Sequence, residues 1–382
     1  MRILYVPAEI LPGGPVACGA AVRSVCMQKA LEKFAEVDVV YPRAAGPRPE
    51  YTFRDKLRNL LSFISLRNYY PVEKENESML DAAVASGDYD YIAVHFVSTV
   101  FRCGLDKYAS RLVVDADDSV AGFERTLADA QRSIPAKLHH LLISASLHIG
   151  MKRFSAKVRH IFFSDPSVKG YANSSCLPNT PGCLPPDGRP LCPPVDPAAL
   201  PPRVLMVGNM GWWPNKVGAG RLVNDIFPTV RAELPDAELH IAGSVDEESR
   251  TGWSAVPGVS VMGFVPDLRE EYASCRCVAV SVYHGSGTSI KTLEAMAMGR
   301  PIVSSPFGMR GFGSFLKDGE DCIVASSDGE FAAGIVRLLT DAGLGRSMAD
   351  SAFAKALEHC GDSVFQACVK DVFDELGYDR AA

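Results

Sequence analysis

Between residues 285 and 294 the chain reads GSGTSIKTLE, and these residue types have the most chemistry to offer. Gly285 and Gly287 let a ligand approach the backbone, and free N–H groups at the start of the following helix favour an anion such as a phosphate. Lys291 and Glu294 are three apart on that helix and therefore share a face. Glu294 lies among Leu293, Ala295, Met296, Ala297 and Met298, where an unpaired carboxylate is costly to bury. It needs a partner. Ligand hydroxyls with the neighbouring lysine would serve, and solvent is the plain alternative. A second group of ionisable residues, His95, Asp115, Asp117 and Asp118, ends or follows apparent strands. In parallel α/β sheets ligands bind beyond the carboxyl ends of strands, so these four are well placed too.

The surrounding residues are those needed to position such groups. Cys277 to Tyr283 is a β-branched apolar run, Ser289 to Met298 is made of helix formers, and Gly299 with Pro301 stops the helix before a further strand at Ile302 to Ser305. Strand, glycine loop, helix and strand make a βαβ unit. Similar alternation opens the chain, with a strand at Arg2 to Pro7, a loop carrying Gly13-Gly14, a helix from Ala20 to Phe34 and a strand at Val37 to Tyr41. A dinucleotide fold would open alike, but these glycines do not fit GxGxxG and no acidic residue ends the second strand. Arg23 is expected as a surface salt bridge, with a phosphate contact as the alternative. Further strands are predicted at Tyr89 to His95, Arg111 to Asp115, Val158 to Ser164, Arg203 to Gly208, Leu239 to Ala242 and Val259 to Met262, with three helices after Asp328. The proline-rich stretch 181–202 reads as a linker, giving domains at 1–180 and 203–360 and a last helix at 361–382.

At 382 residues, 47% apolar and 22% charged, the chain is long enough for two globular domains. A net charge of -6 argues against a general nucleic-acid binder. No secretory signal is read at the start and no stretch of 18 apolar residues is present, so the expected location is the cytoplasm. The basic, apolar-faced stretch 53–70 is the one expected peripheral contact with a membrane, set against packing on its own domain; 148–160 repeats its basic character. Eleven cysteines without metal-ligand spacing read as buried thiols.

GSGTSIKTLEAMAMGRPIVSS resembles the nucleotide-sugar signature of glycosyltransferase family 4. The resemblance implies an α/β GT-B fold, two Rossmann-like domains facing a central cleft. It also implies a retaining, metal-independent enzyme that moves a sugar from a nucleotide diphosphate sugar to a hydroxyl acceptor: a glycan, a lipid-linked or a small molecule, as in cell-envelope polysaccharide assembly. No cofactor is implied beyond the donor, with a uridine diphosphate sugar expected before a guanosine one. By the same resemblance Glu294 binds the ribose hydroxyls, Gly287, Thr288, Ser289 and Ile290 lie along the diphosphate and sugar with Lys291 close by, and Gly14 faces the donor from the first domain. Lys216, in the loop that starts at Asn209, is the nearest counterpart of the family's basic diphosphate ligand, and Val265 in GFVPDL meets the base. Trp212 and Trp213 either wall the cleft or pack on a helix, and Asp267 with Glu270 forms a capping box. Ser286 and Asp117 stand where many members of the family carry a glutamate and a histidine, the first departure being common to this branch. Asp117 or Asp118 would orient the acceptor hydroxyl or take its proton, with a helix N-cap as the structural alternative. His95 is the third catalytic candidate. A sugar-nucleotide epimerase of the same fold and a non-catalytic nucleotide-sugar binder are the competing functions.

Overall fold

The computed structural model describes residues 1–8, 19–43, 65–181, 184, 189–194 and 200–381, with backbone alone at 19–20 and 378–381. Gly14 and residues 53–64 lie outside the described residues. The chain divides into two compact units, Met1–Pro178 with Phe365–Ala382, and Asn179–Val364.

The first unit holds β1 (Arg2–Val6), β2 (Glu36–Val39), β3 (Tyr91–His95), β4 (Leu112–Asp117), β5 (His160–Phe163) and β6 (Ser174–Cys176). They form one six-stranded sheet in the order β2-β1-β3-β4-β5-β6, parallel throughout. Its central strands are apolar on both faces, as a sheet covered on both sides requires: β1 buries Ile3 to Val6 and β3 buries all of Tyr91–His95. The last helix, Asp362–Ala381, supplies Phe365, Val369 and Phe373 to this unit's core beside Tyr5 and Tyr91, and Tyr91 donates from its hydroxyl to the Leu376 carbonyl at 2.9 Å.

The second unit holds β7 (Arg203–Val207), β8 (Glu238–Ala242), β9 (Val259–Gly263), β10 (Cys277–Val280), β11 (Ile302–Ser304) and β12 (Ile323–Val324). Its sheet runs β12-β11-β10-β7-β8-β9, again parallel. This is the doubly wound order, and chain direction across the sheet reverses between β7 and β10. In the first unit the reversal lies between β1 and β3. Ligand crevices in such sheets open at these reversals, beyond the carboxyl ends of the two strands.

Two elements differ from expectation. Ser174–Cys176 pairs as an edge strand, although its SSC sequence carries no β-branched residue to announce it. Within the stretch read as a linker, Leu184 and Cys192 are buried in the second unit's core.

The site loops are held close together by a glycine. Helix Trp213–Arg221 lies so near the end of β10 that a Cβ at Gly218 would fall 1.7 Å from the Ser281 carbonyl oxygen, and the Ser281 hydroxyl donates to the Gly218 carbonyl at 3.0 Å. Gly218→Ala is expected to cost about 3 kcal/mol in urea unfolding. Gly220→Ala is the control: a Cβ there meets open space, so stability should hold or rise slightly.

Candidate functional site

Both loops at the second unit's reversal carry ionisable and polar groups. After β10, Gly285 and Gly287 take φ of 128° and 68°, and Gly287 sits in the left-handed region that favours glycine. Arg310, stacked on the Phe307 ring, fixes this loop by donating from Nη2 to the Gly287 carbonyl at 2.8 Å. Thr288 is held at its hydroxyl by the Asn179 amide at 2.6 Å. Ser289 is the N-cap of helix Ile290–Ala297, yet its side chain makes no capping bond and its buried hydroxyl has no hydrogen-bond partner. The start of this helix is thus left without a side-chain acceptor, which suits an incoming anion.

Lys291 and Glu294 stand half-buried on that helix, with most of their surroundings filled by protein. Burial lowers the Lys291 ammonium to about 8, against the opposing pull of Glu294. Burial also pushes the Glu294 carboxyl above its usual range, partly offset by Lys291 and by a hydrogen bond from Tyr272. Each group keeps one fixed partner. Lys291 Nζ donates to Asn215 Oδ1 at 3.0 Å, and the Tyr272 hydroxyl donates to Glu294 Oε2 at 3.3 Å. Asn215 ties the two loops together, because its Nδ2 donates to the Asn209 carbonyl at 3.0 Å. Tyr272 is in turn fixed by Arg300, whose buried guanidinium donates to the carbonyls of Tyr272, Ala273 and Pro193. A cation and an anion therefore stand half-buried on one helix face, at a strand end where the chain order reverses.

The other expected donor contacts fall as follows. Asn209 is exposed and spends its side-chain oxygen on the Gly211 N–H at 2.9 Å, while its carbonyl holds Asn215. Lys216 is engaged elsewhere, 2.8 Å from Asp246, and that bond holds the aspartate at about 2. Its neighbour Asn215 is the residue of this helix that meets Lys291. Ile290 and Val265 are half-buried against the unit's core, beside the exposed Phe264. Trp212 and Trp213 are 48% and 41% exposed, which excludes simple burial against the helix, and Trp213 packs against the His284 ring of the glycine loop at 5.0 Å. Asp267 forms no capping box with Glu270; it accepts from the Arg269 backbone N–H at 3.0 Å and pairs with the Arg269 guanidinium.

In the first unit the expected residues separate. His95 is fully buried, with Nδ1 bonded to the Ser24 hydroxyl and the ring stacked on Phe96 at 4.0 Å; burial lowers its pKa, against the opposing pull of Asp115 and Asp117. In this structure it has no surface with which to touch a substrate. Arg23, expected at the surface, is 1% exposed and binds Asp115 through Nε and Nη2 at 2.8 Å each. The carboxylate at the end of β4 offers a two-pronged acceptor that makes burial of the arginine tolerable. Asp117 remains partly accessible, 3.6 Å from Arg23 Nε, with a positive φ of 55°. Asp118 is half-buried beside it. Neither caps the following helix, because Ser119 does so through Gly122 N at 3.1 Å. Strained backbone at both Phe96 (φ 69°) and Asp117 places two such residues at neighbouring strand ends. Among the described residues no group of three metal-ligating side chains is arranged to hold an ion. No described helix is long and apolar enough to cross a membrane, and Arg67, in the described part of 53–70, pairs with Asp106 at 2.6 Å.

Part of the second unit and the fold as a whole are similar to known proteins. Residues 201–341 match the family described as "Glycosyl transferases group 1". An "Uncharacterized 44.6 kDa protein in cps region" of Klebsiella pneumoniae is 23% identical over 325 residues, 81% of each chain. The fold is similar to that of sucrose-phosphate synthase from Thermosynechococcus elongatus, with a TM-score of 0.69 and 14% identity over 99% of this chain and 100% of that one. It is also similar to Anabaena HepE in complex with UDP, with a TM-score of 0.65 and 14% identity over 98% of this chain and 100% of that one. Residues 201–341, within the second unit, thus match the group 1 glycosyltransferases, and the chain as a whole has the GT-B fold.

Proposed function

We propose that the protein is a retaining glycosyltransferase that moves a sugar from a nucleotide diphosphate sugar, a uridine one by preference, to a hydroxyl-bearing acceptor. The observation that carries this reading is the half-buried Lys291 and Glu294 at the β7/β10 reversal, next to an uncapped helix start and a glycine loop. Glu294 would accept from the ribose hydroxyls, and its Tyr272 bond keeps the carboxylate aimed. Lys291, held by Asn215, would place positive charge against the diphosphate, as would the helix start at Ser289. Positive charge there would stabilise the leaving diphosphate as the bond to the sugar breaks, the more so where protein surrounds most of the group. Uridine is preferred because HepE, with a similar fold, is known in complex with UDP. Asp117, the more accessible carboxylate at the β4 end, is proposed to orient the acceptor hydroxyl.

The test is release of nucleoside diphosphate from uridine, guanosine and adenosine diphosphate sugars, with and without a panel of glycan and lipid-linked acceptors. Release from one donor, stimulated by one acceptor, with an α-linked donor giving an α-linked product, is the expected result. Binding without any release would leave only a nucleotide-sugar sensor, and an inverted product would remove the retaining mechanism.

A further inference from the structure

We propose that the outward face of the helix Ile134–Ser155 docks the protein on an anionic lipid bilayer. This helix packs as a hairpin with Val120–Ala130, and its inner side adds polar contacts to the core side chains Leu147, Met151 and Phe154. His140 bonds Glu124 at 2.8 Å, the Ser144 hydroxyl donates to the Ala121 carbonyl at 2.7 Å, and His148 meets the Tyr171 hydroxyl at 2.8 Å. On the outer side Ile134, Leu138, Leu142 and Ile149 are 83%, 54%, 36% and 42% exposed. They recur at helical spacing and so form one stripe, roughly 22 Å long at the usual rise per residue. Globular proteins rarely leave such a row to water.

Charge decides what covers it. Lys152 and Arg153, both exposed, end the stripe one turn beyond Ile149, and exposed Lys137 flanks its start, 3.8 Å from Asp129. Between Asp129 and Asp165 the sequence has no acidic residue, while Arg132, Lys137, Lys152, Arg153, Lys157 and Arg159 are all present, in a chain of net charge -6. The occupant must therefore be apolar and negatively charged together. A second copy of this face would supply apolar surface but no acid. The headgroup region of an anionic bilayer supplies both.

The experiment is co-sedimentation of the full chain with vesicles of phosphatidylglycerol mixed with phosphatidylcholine, against phosphatidylcholine alone. Binding is expected to the mixed vesicles only, weakened by high salt. Lys152→Gln with Arg153→Gln should lower partitioning about thirtyfold. Leu138→Gln with Leu142→Gln should lower it at least about tenfold. Neither pair removes a core side chain, so far-UV circular dichroism and nucleotide-sugar turnover in solution should match the parent. The proposal is overturned if the parent ignores both vesicle types or if either pair binds as the parent does. It is equally overturned if the protein elutes as a dimer that the leucine substitutions dissociate.

Discussion

Glu294→Ala is expected to weaken binding of the nucleotide diphosphate sugar by about a hundredfold, because hydrogen bonds to a charged acceptor contribute about 1.5–3 kcal/mol each. Isothermal titration with the preferred donor measures it. The ligand-free protein should tolerate the change better than most buried substitutions, and Glu294→Gln should match or exceed the parent's melting temperature. The reason is that burial already works against the Glu294 charge, which is why its pKa is raised. Such a group costs stability above its ordinary range, so removing the charge relieves that cost. Loss of donor binding without loss of fold separates a ligand-gripping carboxylate from a structural one. An equal donor affinity in the Glu294→Ala protein would remove the ribose role.

Lys291→Ala is expected to lower kcat/KM by about a hundredfold to a thousandfold, the usual range for one removed transition-state donor. Its pH dependence is more specific. The ammonium sits near 8 rather than its ordinary 10.5 because burial disfavours the charged form. Donor affinity should be flat below about pH 8 and then fall by up to about tenfold per pH unit, until the pKa reached in the complex. Lys291→Arg, which stays protonated, should lose that break. The stability linkage has the opposite direction. The folded pKa lies below the unfolded one, so the lysine's contribution to stability rises with pH between about 8 and 10.5, and Lys291→Met should abolish that rise. A donor-binding profile identical in parent and Lys291→Arg would show that this ammonium does not meet the diphosphate.

What the sequence made legible is local. The glycine loop, its helix and the Lys291–Glu294 spacing lie within one βαβ unit, where periodicity and turn residues speak directly. The partners that aim those groups are distant. Asn215 lies 76 residues from Lys291, Tyr272 lies 22 from Glu294, and Asn179 lies 109 from Thr288. Nothing in their own neighbourhoods marks them. Arg23 is buried against a surface expectation for the same reason: its partner is Asp115, 92 residues away, and an isolated arginine is ordinarily exposed. The exposed stripe of helix Ile134–Ser155 is not legible in the sequence because apolar residues occupy both its sides, so no single stripe stands out.

The central claim is most directly tested by a crystal structure with UDP bound. The expected result puts the ribose hydroxyls about 3 Å from the Glu294 carboxylate, with the diphosphate against Gly287–Ser289 and Lys291. Nucleotide density at the strand ends of the first unit, with Glu294 and Lys291 still joined only to Tyr272 and Asn215, would contradict it.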